Sequence, residues 1–333
     1  MRDHSSLPHR ATARRPTWQD LPDGVRAAVE SRAGARVLRA HTQDAGFTEG
    51  FASRLELADG TRVFVKAASA SRGEHAHAAY RHEAHVARLL PPTVPAPRFL
   101  WTCDVDDWVV LAFEDVESVT PQRPWVADEL AAVLAALTRT AQALTPAPEA
   151  LLPLDTTADL DPELSFWRRC VAGDADRALV PAPWRHRVEE LAAIESGWAQ
   201  AAAGDTAVHF DLRDDNVLLA ADGRVLVCDW NWLQLAAPWV DLVGLLVSVH
   251  GDGLDAEQVL ATHPLSRDVP RASVDAFLVA LAGYFVDAAG RPPVETSPWL
   301  RVHQAWYREA ALGWLATRLS ADVETGRSAP SPG

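Results

Sequence analysis

The 333-residue chain carries a formal net charge of −14, and hydrophobic residues make up 48% of it. A chain of this size buries a large core in one or two domains, which excludes a small protein that depends on disulfides or metals for its fold. The acidic balance argues against sequence-independent binding of nucleic acid, because neutralising phosphates requires a basic face.

The two ends of the chain differ in composition from the rest. Residues 1–16 contain several arginines but no apolar segment of the kind found in signal peptides, and residues 322–333 are rich in Ser, Pro and Gly. We therefore expect a disordered leader at 1–16 and a disordered tail at 322–333. No uninterrupted apolar run is long enough to cross a bilayer, so the sequence predicts no membrane partner. The three cysteines are odd in number and lack C-x-x-C spacing, which indicates reduced thiols and a cytoplasmic protein.

The first third of the chain predicts a small sheet with helices. A helix is expected over residues 18–33, followed by alternating segments joined at Asp59-Gly60, a dipeptide that favours a hairpin turn. Residues 77–90 show helical spacing and end at a proline pair, and residues 108–118 read as a buried strand. This part predicts an N-terminal lobe over residues 17–115.

From Asp128 onward the pattern is mostly helical. One strand-like segment interrupts it at residues 207–230, with a second Asp-Gly turn at 222–223. The sequence therefore predicts an α+β protein of two lobes, in which residues 116–321 form the larger, mainly helical C-terminal lobe.

The strand-like segment 207–230 contains a dense polar cluster. Asp211 and Asn216 lie on one loop, and the hairpin return brings Asp229 back beside them. Two carboxylates and an amide oxygen are hard ligands that suit Mg²⁺. The alternative is a plain polar turn, because Asp and Asn favour turns and short motifs match by chance.

A second set of residues lies in the N-terminal lobe. The loop containing Gly46 and Gly50 joins two strands, the third strand carries Lys66, and the next helix carries Glu83. A glycine turn lets backbone amides approach phosphate, a strand lysine supplies positive charge, and a helix carboxylate holds that lysine. Lys66 is the single lysine among 31 Lys and Arg residues.

The order of these features resembles the aminoglycoside phosphotransferase and choline kinase branch of the protein-kinase-like fold. The resemblance runs over about residues 35–245 and includes H-x-D-x-x-x-x-N, starting at His209, and the strand-end Asp229. It implies a bilobal fold with a small antiparallel sheet and one helix packed on it, followed by a larger helical lobe.

The resemblance also implies roles for individual residues. Lys66 would contact the nucleotide phosphates and Glu83 would pair with it. Asp211 would accept or orient the proton of the acceptor hydroxyl. Asn216 and Asp229 would bind Mg²⁺.

Further expected roles concern support and the nucleotide base. His209 would support the catalytic loop from beneath Asp229, and Asp241 would brace the same loop. The strand-end sequence F-E-D-V matches the family's hinge, where backbone groups of Glu114 and Val116 would hold the adenine or guanine edge.

Two departures from the family pattern affect the outer face of the catalytic loop. Phe210 stands where the family usually has glycine, and Arg213, Asp214 and Asp215 replace His-Pro-Gly. The chemically required positions are unchanged, so these departures bear on the acceptor.

The resemblance predicts a small-molecule kinase, a phosphotransferase with an alcohol group as acceptor. It would transfer the γ-phosphoryl group of ATP or GTP to a hydroxylated antibiotic, aminoglycoside-like or another natural product, and so give resistance. A metabolic kinase for an amino alcohol or sugar is the enzymatic alternative, and a non-catalytic nucleotide-binding pseudokinase is the alternative of another class.

A zinc site at His75, His77, His82 and His85 is a weaker hypothesis, because cysteine ligands and H-E-x-x-H spacing are missing.

Overall fold

The computed structural model describes residues 12–326, and for residues 321–326 it describes the backbone alone. Residues 1–11 of the predicted leader and residues 327–333 of the predicted tail lie outside the described residues.

The N-terminal lobe is built on a five-stranded antiparallel sheet with the strand order β1-β2-β3-β5-β4. Its elements in chain order are α1 (Asp23–Ala33), β1 (Val37–Thr42), β2 (Phe51–Leu57), β3 (Arg62–Ser69), α2 (Glu74–Leu89), β4 (Phe99–Val105) and β5 (Trp108–Glu114). The predicted hairpin turn is present between β2 and β3, where Gly60 has a φ of 85° that favours glycine.

The two faces of this sheet carry different packing. Val65 and Val110 point to one face, where they join a buried cluster with Val25 and Val29 of α1. Leu111 points to the other face and packs with residues of α2. Because side chains alternate along a strand, Lys66 lies on the same face as its direct neighbour Leu111, beside α2.

The C-terminal lobe is mainly helical and has two small sheets. Its elements are β6 (Ser118–Val119), α3 (Ala127–Ala143), α4 (Phe166–Ala172), α5 (Val188–Glu195), α6 (Trp198–Ala201), β7 (Thr206–Val208), β8 (Val217–Ala220), β9 (Val225–Val227), β10 (Gln234–Ala236), α7 (Trp239–Gly251), α8 (Ala256–Thr262), α9 (Arg271–Gly290) and α10 (Leu300–Gly326). Short 3-10 turns connect several of them. The two-lobed α+β architecture expected from the sequence is confirmed.

Helix α9 forms the centre of this lobe. By length and composition alone it could span a membrane, a property that the search for uninterrupted apolar runs missed. Within the fold, 67% of the most apolar 18-residue stretch of α9 is buried against α10 and the neighbouring helices. The burial is that of a core helix, and α9 is the one helix in the described part of the chain that is both long enough and apolar enough to span a membrane.

Three sequence expectations need correction. Residues 12–16, expected to be disordered, lie against the glycine loop, because backbone and side-chain hydrogen bonds hold them there. The helix expected at 18–33 is a 3-10 turn at Trp18–Asp20 followed by α1, since Pro22 interrupts backbone donation at the junction. Helix α10 continues to Gly326, although the C-terminal lobe was expected to end at residue 321. Strand β4 was not predicted.

Candidate active site

The catalytic loop, residues 209–216, connects β7 to β8 and is held by Asp241 at the start of α7. The backbone N–H groups of His209 and Phe210 donate to the two Asp241 carboxylate oxygens, each at 2.8 Å. Phe210 has a φ of 64°, a conformation that costs energy in a bulky residue. The double hydrogen bond from His209 and Phe210 to Asp241 therefore holds the loop in a conformation that glycine adopts more readily.

His209 connects the catalytic loop to the strand end that carries Asp229. The Asp211 N–H donates to His209 Nδ1 at 3.3 Å, and His209 Nε2 lies 2.8 Å from the Cys228 carbonyl oxygen. This pair of contacts assigns the proton of a neutral ring to Nε2. Burial lowers the pKa of His209, which favours the neutral ring.

Asp211 lies at the centre of the loop with a cation beside it. Its Oδ1 accepts from Arg213 Nη1 at 2.7 Å, and its Oδ2 accepts from Asn216 Nδ2 at 3.2 Å. Burial raises the pKa of Asp211 to about 6, although Arg213 acts in the opposite direction. The carboxylate is therefore ionised at neutral pH and basic enough to interact with a hydroxyl proton.

The raised pKa of Asp211 predicts a stability effect in the free protein. Its ordinary pKa is 3.8, so ionisation costs the folded state stability as the pH rises from about 4 to about 6. The cost is on the order of 2–3 kcal/mol above pH 6. We expect Asp211→Asn, freed of this cost, to unfold at a temperature a few degrees higher than the unchanged protein at pH 8.

This stability effect is measured by thermal unfolding without metal or nucleotide at pH 8 and pH 5. The difference between variant and unchanged protein should shrink at pH 5, because Asp211 is then largely protonated. A variant that is less stable at pH 8 would contradict the prediction.

Asn216 and Asp229 form a donor set that fits Mg²⁺. Both hydrogen bonds of Asn216 Nδ2 go to Asp211, at 2.8 Å to its backbone oxygen and 3.2 Å to its carboxylate. Asn216 Oδ1 and Asp229 Oδ2 accept no hydrogen bond from any residue within 12–326. An amide oxygen and a carboxylate oxygen left open in this way suit a hard cation that keeps phosphate and water ligands.

Lys66 joins the two lobes through ion pairs. Its Nζ donates to both Glu83 carboxylate oxygens at 2.8 Å and also to Asp229 Oδ1. Burial opposes the charge on Lys66, but Asp229 and Glu83 outweigh it and the pKa of Lys66 is raised. Burial likewise opposes the charge on Asp229, whose pKa is nevertheless lowered by Lys66. Lys66 and Asp229 are therefore charged together, whereas burial raises the pKa of Glu83 to about 7, although Lys66 acts in the opposite direction.

The glycine loop between β1 and β2 needs both of its glycines. Gly46 has a φ of 77°, in the left-handed region that favours glycine. At Gly50 an added Cβ would lie 2.5 Å from the ring of Tyr80, so a side chain has no room there. The positive φ at Gly46 and the close packing at Gly50 explain why glycine occupies these two positions of the predicted phosphate loop.

The predicted hinge lies where β5 ends. Two hydrogen bonds fix the side chain of Glu114. Its Oε1 accepts one from the Arg98 backbone N–H at 3.1 Å and one from Arg224 Nη1 at 2.9 Å. The Val116 carbonyl oxygen accepts a hydrogen bond from Arg54 of β2. A cavity of about 460 Å³ lies beside this point, with Arg54 and Asp115 in its wall. Arg54 shares the Lys66 face, because Ala52 pairs with Lys66 and Arg54 is two residues further along.

Sequence reasoning missed the roles of two loop residues. Arg213 was noted as a departure from the family pattern, but it bridges Asp211 and Asp215, at 2.7 Å and 3.0 Å. Asp214 is buried and pairs with Arg123 at 2.6 Å. The alternation of Asp and Arg at 211, 213 and 215 was the signal for the first contact, whereas nothing in the sequence indicated the second.

The predicted histidine cluster has no counterpart as a metal site. The four histidines lie along α2, and within residues 12–326 no group of three or more His, Cys, Asp or Glu side chains is arranged to hold a metal ion. The Mg²⁺ donor set described above differs in kind, because one of its two members is an amide.

Three solved structures of phosphotransferases and kinases share the fold of this chain. A spectinomycin phosphotransferase crystallised with ADP and spectinomycin is similar with a TM-score of 0.61 and 13% identity, over 88% of this chain and 94% of that one. A choline kinase from Streptococcus pneumoniae has a TM-score of 0.60 and 14% identity, over 88% and 98%. An aminoglycoside phosphotransferase from Alicyclobacillus acidocaldarius subsp. acidocaldarius has a TM-score of 0.56 and 17% identity, over 86% and 92%. These similarities confirm the bilobal protein-kinase-like fold.

Residues 47–273 match the sequence model of the phosphotransferase enzyme family, and the chain belongs to this family. Membership confirms the predicted enzyme class, a phosphotransferase with an alcohol group as acceptor. No curated protein sequence matched the chain.

Proposed function

We propose that this enzyme transfers the γ-phosphoryl group of ATP or GTP to a hydroxyl of an antibiotic, aminoglycoside-like or another hydroxylated natural product, and thereby gives resistance. The observation that carries the phosphoryl-transfer part is the direct contact of Lys66 with both Glu83 and Asp229. Charged groups from both lobes therefore meet beside the Asp211 loop, where a triphosphate and a hydroxyl would have to meet.

In the proposed reaction each residue has one task. Lys66 binds phosphate oxygens and Glu83 holds its ammonium in place. Asn216 and Asp229 would hold Mg²⁺, which neutralises phosphate charge. Asp211 orients the acceptor hydroxyl and takes its proton as the new oxygen–phosphorus bond forms. The bond from the γ-phosphorus to the bridging oxygen breaks, and the nucleoside diphosphate leaves.

The nucleotide base is proposed to lie in the cavity beside the hinge. Its volume of about 460 Å³ is in the range of small-molecule sites, and it borders Asp115 between Glu114 and Val116. Hydrogen-bonding groups of the hinge would hold the edge of adenine or guanine there. A cytoplasmic location follows from the proposal, because the donor is a cytoplasmic nucleotide.

The choice of acceptor rests on charge. The chain carries a net charge of −14, and the loop that meets the acceptor contains three aspartates, Asp211, Asp214 and Asp215. Arg213 and Arg123 pair with them, so the field at the acceptor is weaker than the aspartate count indicates. The acidic balance favours a cationic, polyhydroxylated acceptor of the aminoglycoside type.

The test is a panel of acceptors with ATP and with GTP in the presence of Mg²⁺. It contains aminoglycosides, spectinomycin, macrolides, amino alcohols and sugars, and it is read by the mass increase of the acceptor. Phosphorylation of an antibiotic, together with loss of its growth inhibition in cells expressing the chain, supports the proposal. Phosphorylation of an amino alcohol or sugar alone would assign a metabolic kinase. Nucleotide binding without turnover of any acceptor would indicate a pseudokinase.

A further inference from the structure

The segment 12–16, which precedes the two lobes, lies along the glycine loop. The backbone N–H groups of Thr12 and Ala13 donate to the Asp44 carbonyl oxygen at 2.9 Å and 3.1 Å. The Thr12 hydroxyl donates to the Gly46 carbonyl oxygen at 2.7 Å. These contacts place the segment on one side of the loop and direct loop carbonyl groups toward it.

Arg15 binds both ends of the same loop. Its Nη2 donates to the Ala45 carbonyl oxygen at 3.0 Å, and its Nη1 donates to the Gly50 carbonyl oxygen at 3.0 Å. Nη1 also donates to the Tyr80 hydroxyl at 3.0 Å, and the Tyr80 ring lies 5.4 Å from Lys66 Nζ. One planar guanidinium thus fixes the span of the loop and connects it to the helix that carries Glu83.

The direction of these carbonyl groups determines where the loop amides point. In a trans peptide the C=O and N–H of one unit point in opposite directions. The carbonyl groups of residues 44, 45 and 46 accept from the N-terminal segment, so the N–H groups of Ala45, Gly46 and Phe47 point away from it. Within the described part of the chain these three N–H groups have no hydrogen-bond partner. Consecutive backbone N–H groups without a partner in the described residues, beside a left-handed glycine, are of the kind that can bind an anion.

We propose that Arg15 is a positioning residue of the triphosphate site. By binding the Ala45 and Gly50 carbonyl oxygens, it keeps these oxygens away from the phosphates. Together with Thr12 and Ala13, which bind the Asp44 and Gly46 carbonyl oxygens, it presents the amides of residues 45–47 to them. This inference rests on the proposed function, since it assumes that the loop binds a nucleoside triphosphate.

The experiment compares full-length Arg15→Ala with Arg14→Ala as a matched control. Both variants remove one positive charge from adjacent positions, but the Arg14 side chain is exposed and its backbone N–H still donates to Thr296. Three measurements are made: hydrogen exchange without nucleotide of the hydrogen-bonded N–H groups of Thr12, Ala13 and Gln43 that flank the loop, affinity for non-hydrolysable triphosphates of adenosine and guanosine, and affinity for the corresponding nucleosides.

Arg15→Ala is expected to accelerate exchange of these flanking N–H groups and to weaken triphosphate binding about tenfold or more, while nucleoside affinity changes less than about twofold. In steady-state turnover the KM for the triphosphate should rise more than kcat falls. Arg14→Ala should match the unchanged protein. Equal triphosphate affinity in the two variants would overturn the inference.

Arg15→Lys tests whether the planar shape of the guanidinium, or only its positive charge, is needed to hold the loop. An ammonium group keeps the charge but cannot span Ala45 and Gly50 together, so the flanking N–H groups should still exchange fast. Full recovery of protection and affinity would overturn the positioning role. If the unchanged protein bound no triphosphate, the proposed function and the triphosphate role would fall together. Hydrogen exchange would then still show whether Arg15 holds the loop.

Discussion

Asp211→Asn is expected to lower the rate of phosphoryl transfer by about 100- to 10,000-fold, the range typical for loss of a general base. An amide oxygen is too weak a base to take the hydroxyl proton as the new bond forms. Asn216 keeps its 2.8 Å hydrogen bond to the backbone oxygen of residue 211, which does not depend on the side chain, so the metal donor set keeps its arrangement. The measurement is steady-state turnover of the acceptor that the panel identifies, together with triphosphate affinity, which should change little.

Asp215→Asn is the matched control for this variant. It makes the same chemical change on the same loop and also removes a carboxylate from Arg213, which contacts Asp215 at 3.0 Å. If the loss at Asp211 arises from its own carboxylate, Asp215→Asn should keep most of its turnover. An equal loss in the two variants would mean that the arrangement of Arg213, and not the basicity of Asp211, limits the reaction. Measuring the higher unfolding temperature expected for Asp211→Asn would exclude unfolding as the cause.

Much of the fold was predictable because its signals are local. The two Asp-Gly turns are hairpins with positive φ at Gly60 and Gly223, which only a few residue types adopt readily. Helix α2 occupies the region of helical spacing that ends at the proline pair. Strand β4 was missed because it is an edge strand whose side chains are partly exposed, so it lacks a clear alternation.

The order of motifs brought together groups that are in contact in the structure, since Lys66 of β3 meets Glu83 of α2 and Asp229, which follows β9. The contacts of arginines were not predictable. Arg15 meets Gly50 and Tyr80, and Arg123 meets Asp214, across long stretches of sequence. In a chain whose basic residues are nearly all arginine, no single one is distinctive by composition. Their partners are set by tertiary packing, which local periodicity does not encode.

Asp214 illustrates the same limit. In the sequence it belongs to a run of acidic loop residues and reads as part of a polar turn. In the structure its carboxylate is buried and receives hydrogen bonds from Arg123 at 2.6 Å and from the Tyr307 hydroxyl at 3.4 Å. Arg123 is also paired with Asp252 at 2.6 Å. A buried charge of this kind requires its partners, so the catalytic loop is tied to the C-terminal helices at a position that looked solvent-exposed.

Lys66→Arg is expected to keep the fold and lose most phosphoryl transfer, about 100-fold or more. Lys66 Nζ lies between the two Glu83 oxygens, both at 2.8 Å, and Asp229, with the Tyr80 ring 5.4 Å away. A guanidinium keeps the charge, but its larger planar fork would bind Glu83 in a different plane and move the donor groups away from the phosphates. The measurements are turnover, triphosphate affinity and thermal unfolding, and the unfolding temperature should change by only a few degrees.

Lys66→Met separates charge from geometry at this position. It removes the cation and leaves the buried Glu83 carboxylate without its partner, so we expect a clear loss of stability in addition to the loss of turnover. A stable Lys66→Arg with low turnover beside an unstable Lys66→Met would show that the fold needs a charge and the reaction needs an ammonium. Near-normal turnover of Lys66→Arg would mean that arginine serves equally well there. The retention of one lysine in a chain that otherwise uses arginine would then have no chemical cause at this site.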